Sequence, residues 1–150
     1  MTITVRLATS QDLYAVVSLL RARELPTDGV ADLLRATPEH ALLAELNGQV
    51  VGCGALDVHG SSALLRSVAV ARDLATLGVG SRLVMDLIAL ARTKSLASLY
   101  LLTTTADQWF PRFGFIVVER TMVPPEIGST IEFTKACPSS AIVMRCALSS

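Results

Sequence analysis

The sequence predicts an α+β domain, a mixed sheet of about seven strands flanked by helices, and three observations carry that prediction. The hydrophobic period changes repeatedly along the chain between two residues and three to four, so strands and helices follow one another. Three apolar runs in the first half are joined by short turns, which makes them an antiparallel set. A long amphipathic stretch follows before the strand pattern returns three more times.

The elements follow in order. ITVRLAT (3–9) alternates as a strand, β1. Ser10 then caps a helix, α1, whose apolar positions Leu13, Val16, Val17, Leu19 and Leu20 recur at helical spacing. LPTDG (25–29) breaks the chain before a short helix, α2, over Val30 to Arg35. ALLAEL (41–46, β2) and VVGCGALDV (50–58, β3) flank Asn47-Gly48, a strong hairpin signal because both turn residues tolerate positive φ. HGSS turns the chain into ALLRSVAV (63–70, β4). Val79, Leu83, Val84, Leu87, Ile88, Leu90 and Ala91 then line one face of a helix, α3, running to about residue 94. LYLLTT (99–104, β5) reads as a buried strand, and ADQWFPRFGF starts as a short helix and ends in a turn. IVVE (116–119, β6) and AIVMRCAL (141–148, β7) complete the strands. The twenty residues between them are long for a compact domain. They predict a short helix, α4, over Pro125 to Lys135, lidding a cleft, completing the fold at the surface or packing on a second subunit.

Composition narrows the function. A chain of 150 residues suits a single domain, 1–150, large enough to bury roughly 70% of the surface it exposes when unfolded. A formal charge of zero, with 17% charged residues, excludes a basic nucleic-acid footprint and directs attention to a small-molecule partner. No apolar run approaches the about 18 residues of a membrane span, and MTITVRLATS lacks the character of a signal peptide, so a cytoplasmic location is expected. Cys53, Cys137 and Cys146 are odd in number and widely spaced, and with His40 and His59 they form no metal-binding pattern. Buried thiols are the expectation, with Cys137 in CPSS the one in a turn-like stretch.

RDLATLGVGSR (72–82) carries the first chemical signal. The dinucleotide fingerprint fails because Leu83 stands where its third glycine belongs, and no Gly-Lys-Ser/Thr follows for a phosphate-binding P-loop. Yet Gly78 and Gly80 fall in the first turn of a long helix just after a strand. Unpaired backbone N–H groups at such a start attract anions, and glycine permits close approach. From pattern alone an anion cradle and an ordinary strand-to-helix turn stand level.

Four features in order, SVAVA (67–71), LGVGSRL (77–83), LYLLTT (99–104) and Ala106…Trp109-Phe110…Phe113-Gly114-Phe115, resemble the GNAT superfamily of N-acetyltransferases. The resemblance spans Ile3 to Leu148. It implies a single GNAT domain with β4 and β5 splayed apart and acetyl-CoA as co-substrate. Its pyrophosphate would rest on the N–H groups from Ala75 through Thr76, Leu77, Gly78, Val79 and Gly80 to Ser81. Its pantetheine arm would pair with backbone around Val68, Ala69 and Val70, beside Trp109 and Phe110. The Val68 N–H would polarise the thioester carbonyl.

LTTTADQWFPRFGF is also similar to amino-acid N-acetyltransferases of the glutamate type, and LLRSVAV, YLLTTTA and VPPEIGSTIEFTKACPSSAIVMR to the N-acetyltransferases of arsenic-resistance operons. That subgroup implies a small amino-acid amine as acceptor, including arsenic- or phosphorus-bearing analogues, and a role in detoxification. The family's usual base, an early β4 glutamate, is Leu64 here, and its usual acid, a tyrosine after β5, is Phe110. The catalytic base is therefore unknown. Strand alternation sets Arg66 on one face with Leu64 and Val68. There it is a fork for a substrate carboxylate, a partner of Glu45, Asp57 or Glu132, or simply exposed at a sheet edge. Ser67, Thr103 and Thr104 are candidate hydroxyl contacts, and Glu132 or Glu126 could meet a substrate ammonium. Two other functions fit the same residues: an acyl-CoA-binding module without chemistry, and an acetyltransferase for protein N-termini or lysines.

Overall fold

The computed structural model describes residues 2–74, 77–136 and 138–148. A seven-stranded sheet in the order β1-β2-β3-β4-β5-β7-β6 forms its centre. The strands are β1 (Ile3–Leu7), β2 (Ala41–Leu46), β3 (Gln49–His59), β4 (Ser62–Val70), β5 (Ser98–Thr103), β6 (Ile116–Val118) and β7 (Ile142–Ala147). All neighbours run antiparallel except β4 and β5. The parallel step is where the long helix α3 (Val79–Thr93) carries the chain across the sheet.

α3 covers one face, burying Val79, Leu83, Val84, Leu87 and Ile88, each worth roughly 1.5–3 kcal/mol when fully removed from water. It lies close on β3 because that strand has glycines, Gly52 and Gly54, beneath Leu83 and Leu87. A Cβ on Gly52 would come within 2.8 Å of Leu83 Cδ1, and one on Gly54 within 2.6 Å of Leu87 Cδ1. The other face carries α1 (Leu13–Ala22) and α2 (Val30–Ala36) over Leu43, Cys53, Ala55 and Ala69. Beside them Ile127 and Phe133 pack on Leu64, Tyr100 and Val143.

Three local expectations are corrected. Thr9, not Ser10, is the cap: its side chain accepts from the Gln11 N–H, and its own N–H donates to Asp12 Oδ2 at 2.8 Å, closing a capping box over a 3₁₀ turn that leads into α1. The helix expected after Ala106 is a 3₁₀ turn at Phe110–Phe113, with Pro111 in its first turn. The helix expected over Pro125 to Lys135 is broken into α4 (Pro125–Gly128) and a wide π turn at Glu132–Ala136. Thr130 Oγ1 donates to the Ile127 carbonyl at 2.7 Å and Thr134 Oγ1 to the Thr130 carbonyl at 3.0 Å, side-chain bonds that compete with a regular helix.

Candidate active site

β4 and β5 pair only from Ser62↔Ser98 to Leu64↔Tyr100, although β4 continues to Val70 and β5 to Thr103. Beyond Leu64 the two strands separate and leave a cleft of about 850 Å³. The Ala71 N–H donates to the Val51 carbonyl at 2.8 Å, and Ala69 stands opposite Cys53 in the β3 register. Strand alternation then turns the backbone groups of Val68 and Val70 away from β3, toward the open gap.

The mouth of the cleft is the start of α3. Gly78 is its N-cap at φ +78°, a left-handed conformation that costs a side-chain-bearing residue about 1–2 kcal/mol. The first intrahelical bond runs from the Arg82 N–H to the Gly78 carbonyl at 3.0 Å, so the N–H groups of Val79, Gly80 and Ser81 have no partner inside the helix. The first turn contains no acidic residue to repel an anion. Gly80 lies under the indole of Trp109, whose nearest atoms are 3.5 Å from where a Cβ would sit. Gly78, Gly80 and Ser81 line the cleft, the Val79 side chain is buried in the core, and Leu77 is exposed. Ala75 and Thr76, expected to complete the cradle, lie outside the described residues, as does Cys137.

At the inner end, β4 breaks its alternation. Cys53 pairs with Ala69 but Ala55 with Arg66, so Ser67 and Val68 together oppose Gly54: a β-bulge, with Ser67 at φ +60°. The expected common face for Leu64, Arg66 and Val68 is therefore wrong at its last member. Leu64 and Arg66 face Ile127 and Glu132, whereas Val68 packs on the α3 side. Arg66 is 5% exposed. Its Nη2 lies 3.0 Å from Glu132 Oε1 and donates to the Asp28 carbonyl, and its Nε donates to Ser67 Oγ at 3.0 Å. Of the partners the sequence offers Arg66, the structure selects Glu132. Gly29 makes the seat possible: at φ +80° it lies so near that a Cβ would stand 3.1 Å from Arg66 Nη1.

Arg66, Ser67, Thr103, Thr104 and Glu132 all line the cleft, as do Val68, Ala69, Val70, Trp109 and Phe110. Thr103 Oγ1 accepts from the Ala106 N–H at 2.9 Å and so closes the turn after β5, while Thr104 is exposed. Phe110 is a buried wall, edge-on to Trp109 at 4.9 Å between centroids. Leu64 is 1% exposed in the core and offers the cleft no acid or base. Sequence reasoning missed the α1–α2 loop, where Arg23, Glu24, Pro26 and Asp28 form the wall opposite β4. Two left-handed residues, Glu24 and Gly29, bend it inward. Only Gly29 was a visible signal.

Burial pushes the Cys53 thiol up to about 12 and raises that of Cys146. Both are free, buried thiols in the cores on either face of the sheet. Among the described residues no cluster of side chains could hold a metal ion, and no helix is long and apolar enough to cross a membrane.

A splayed parallel strand pair, a glycine-capped helix at its mouth and a bulged strand inside define an acyltransferase fold. The chain belongs to the acetyltransferase (GNAT) family, whose model matches residues 10–115. It is similar to an amino-acid acetyltransferase of Mycobacterium tuberculosis, 38% identical over 84 residues that make up 55% of this chain and 48% of that one. Among solved structures, N-acetylglutamate synthase from Neisseria gonorrhoeae, complexed with coenzyme A and N-acetyl-glutamate, superposes with a TM-score of 0.84 at 20% identity. That match takes in all of this chain and 36% of the synthase. A solved structure of a protein from M. tuberculosis, in complex with CoA and NLQ, gives a TM-score of 0.81 at 27% identity, covering 97% of this chain and 99% of that one. The chain thus spans about half the length of the curated mycobacterial enzyme it matches.

Proposed function

We propose that this domain is an acetyl-CoA-dependent N-acetyltransferase for the primary amine of a small amino-acid-like molecule. The observation that carries the proposal is the β4–β5 gap, which leaves the Val68 and Val70 backbone unpaired within one cleft that also holds the unpaired N–H groups of Gly80 and Ser81. A pantetheine arm would supply the missing strand, and a pyrophosphate would meet the helix start at Gly78, Val79, Gly80 and Ser81. The solved relatives that hold CoA support this use of the cleft.

The chemistry is acyl transfer. A neutral amine attacks the thioester carbon, and negative charge builds on the carbonyl oxygen, where the Val68 N–H would stabilise it. The C–S bond then breaks, the sulfur leaves with the bonding pair and takes a proton, and an amide remains. With Leu64 and Phe110 in the two acid-base positions, proton movement falls to water and catalysis rests on positioning. For the acceptor, the Arg66–Glu132 pair offers both signs of charge together. An amino acid carries the complementary pair, its carboxylate toward Arg66 and its ammonium toward Glu132, with Ser67, Thr103 and Thr104 as hydroxyl contacts. The likeness to amino-acid acetyltransferases supports this class, and arsenic- and phosphorus-bearing analogues belong to it.

Leu64 and Phe110 favour one rival, a CoA-binding module without chemistry. Release of free CoA from acetyl-CoA in the presence of a panel of amino acids, including arsenic- and phosphorus-containing ones, decides between them. Turnover above the no-amine background establishes the enzyme; tight CoA binding with no turnover on any amine establishes the module. A protein or peptide acceptor requires an open groove, and the Asp28–Arg66–Glu132 closure of the inner end argues against one.

A further inference from the structure

We infer that Cys53 is a positioning residue for acyl transfer: its thiol holds the Ser67–Val68 peptide so that the Val68 N–H points into the β4–β5 gap. The inference rests on the proposed role of that N–H and adds the device that aims it.

Cys53 Sγ donates to the Ser67 carbonyl at 3.2 Å, from β3 into the bulge. A trans peptide carries its C=O and N–H on opposite sides, so anchoring the Ser67 oxygen on the β3 side sends the Val68 N–H to the other side, into the cleft. The anchor matters here more than elsewhere in the strand. Two residues of β4 oppose the single Gly54, the ladder is locally disrupted, and Gly54 has no side chain to restrain the plane. Ser67 also holds a positive φ, a conformation that persists only when the surroundings impose it. The thiol is suited to donate. It is 2% exposed, and burial keeps it protonated far above neutral pH. Val16, Val30, Leu34 and Leu43 line the small apolar pocket beside it. Its own carbonyl contact thus ties the core beneath α1 and α2 to the reacting edge of β4.

The test uses three substitutions. Cys53→Ala and Cys53→Val remove the donor, one leaving space and one filling it; Cys53→Ser keeps a donor. The first readout is the ¹⁵N–¹H signal of Val68 in the complexes with acetyl-CoA and with CoA. In the wild type the two signals differ, because only acetyl-CoA carries the thioester carbonyl that this amide would meet. The difference collapses in Cys53→Ala and Cys53→Val and survives in Cys53→Ser. The second is the kcat of CoA release with the best amino-acid acceptor. It falls about tenfold in the Ala and Val forms, with the acetyl-CoA KM unchanged, less than the roughly 10²–10³ lost with a whole oxyanion donor. Unfolding midpoints are recorded for all three. A kcat loss that tracks the midpoint through the series, Cys53→Ser included, overturns the inference as mere packing. A wild-type Val68 difference that persists in Cys53→Ala and Cys53→Val, with undiminished kcat, overturns it while leaving the Val68 role intact. Identical Val68 signals in the two wild-type complexes remove the Val68 role and the inference with it.

Discussion

The Arg66 guanidinium and the Glu132 carboxylate meet at 3.0 Å with side chains only 2% and 9% exposed. They join the bulged strand β4 to the π turn between β6 and β7, two segments 66 residues apart in number, across the inner end of one cleft. Desolvating such a pair costs about as much as the attraction returns, so stability alone does not account for it.

Breaking the pair on one side should be costly. Glu132→Ala leaves a buried guanidinium uncompensated and should destabilise the domain by about 3–5 kcal/mol in urea unfolding. The double replacement Arg66→Met with Glu132→Leu should regain most of that loss and yet raise the amine KM far more than the acetyl-CoA KM. Arg66→Ala alone should show the same asymmetry. Equal effects on both KM values would sink the carboxylate-fork role.

The helix start tests the cofactor end independently. Gly78→Ala has open space for its methyl group, since nothing lies within 4 Å of the position, so its cost is conformational, about 1–2 kcal/mol for a left-handed residue. The acetyl-CoA KM should rise while the amine KM stays put. Gly78→Asn, better tolerated at positive φ, should recover stability without recovering the KM.

Trp109 is the sole tryptophan of the chain and borders both Gly80 and the cleft. Titration with CoA should therefore change the intrinsic fluorescence, with saturation marking the dissociation constant. Fluorescence that does not respond to CoA, when calorimetry detects binding, would remove the indole from the cofactor wall.

The Arg6 guanidinium grips Asp12 through two 2.9 Å bonds, and Thr9 adds its N–H. Together they lower the Asp12 carboxyl from 3.8 to about 2, with the Arg6 hydrogen bond the largest cause. A depressed folded-state value stabilises above the unfolded one and is lost as pH falls. Asp12→Asn should therefore weaken the domain by about 0.5–2 kcal/mol at neutral pH, the range for losing a cap. Stability curves of mutant and wild type should converge as pH drops from 4 toward 2. A difference that stays constant over that window would show that the charge plays no part.

Most of the architecture was legible because hydrophobic period is a direct imprint of burial. β2 has the limits its apolar run predicts, and α3 starts at Val79 as its face requires. The Gly78 cap was legible for a similar reason, since one residue type dominates left-handed caps. What escaped was set by single dihedrals and by distant partners. The face of Val68 depends on one extra residue in β4, and no periodicity in LLRSVAV announces it. The break at residues 129–131 follows from threonine hydroxyls turning back on carbonyls, which competes with a helix but does not forbid one in advance. The choice of Glu132 over Glu45 for Arg66 was a question of tertiary distance: Glu45 stands near Arg6 instead.

A strand pair that separates halfway along its length is an edge turned inward. Exposed rows of unpaired N–H and C=O groups invite other chains to add strands, which is why sheets shield their margins. Here the row between Val68 and Val70 lies at the bottom of a notch, roofed by α3 on one side and by the Trp109–Phe110 turn on the other. A row recessed in this way is reached only by a ligand that enters the cleft of about 850 Å³. The backbone it hides remains available to such a ligand without offering a free strand edge at the molecule's surface.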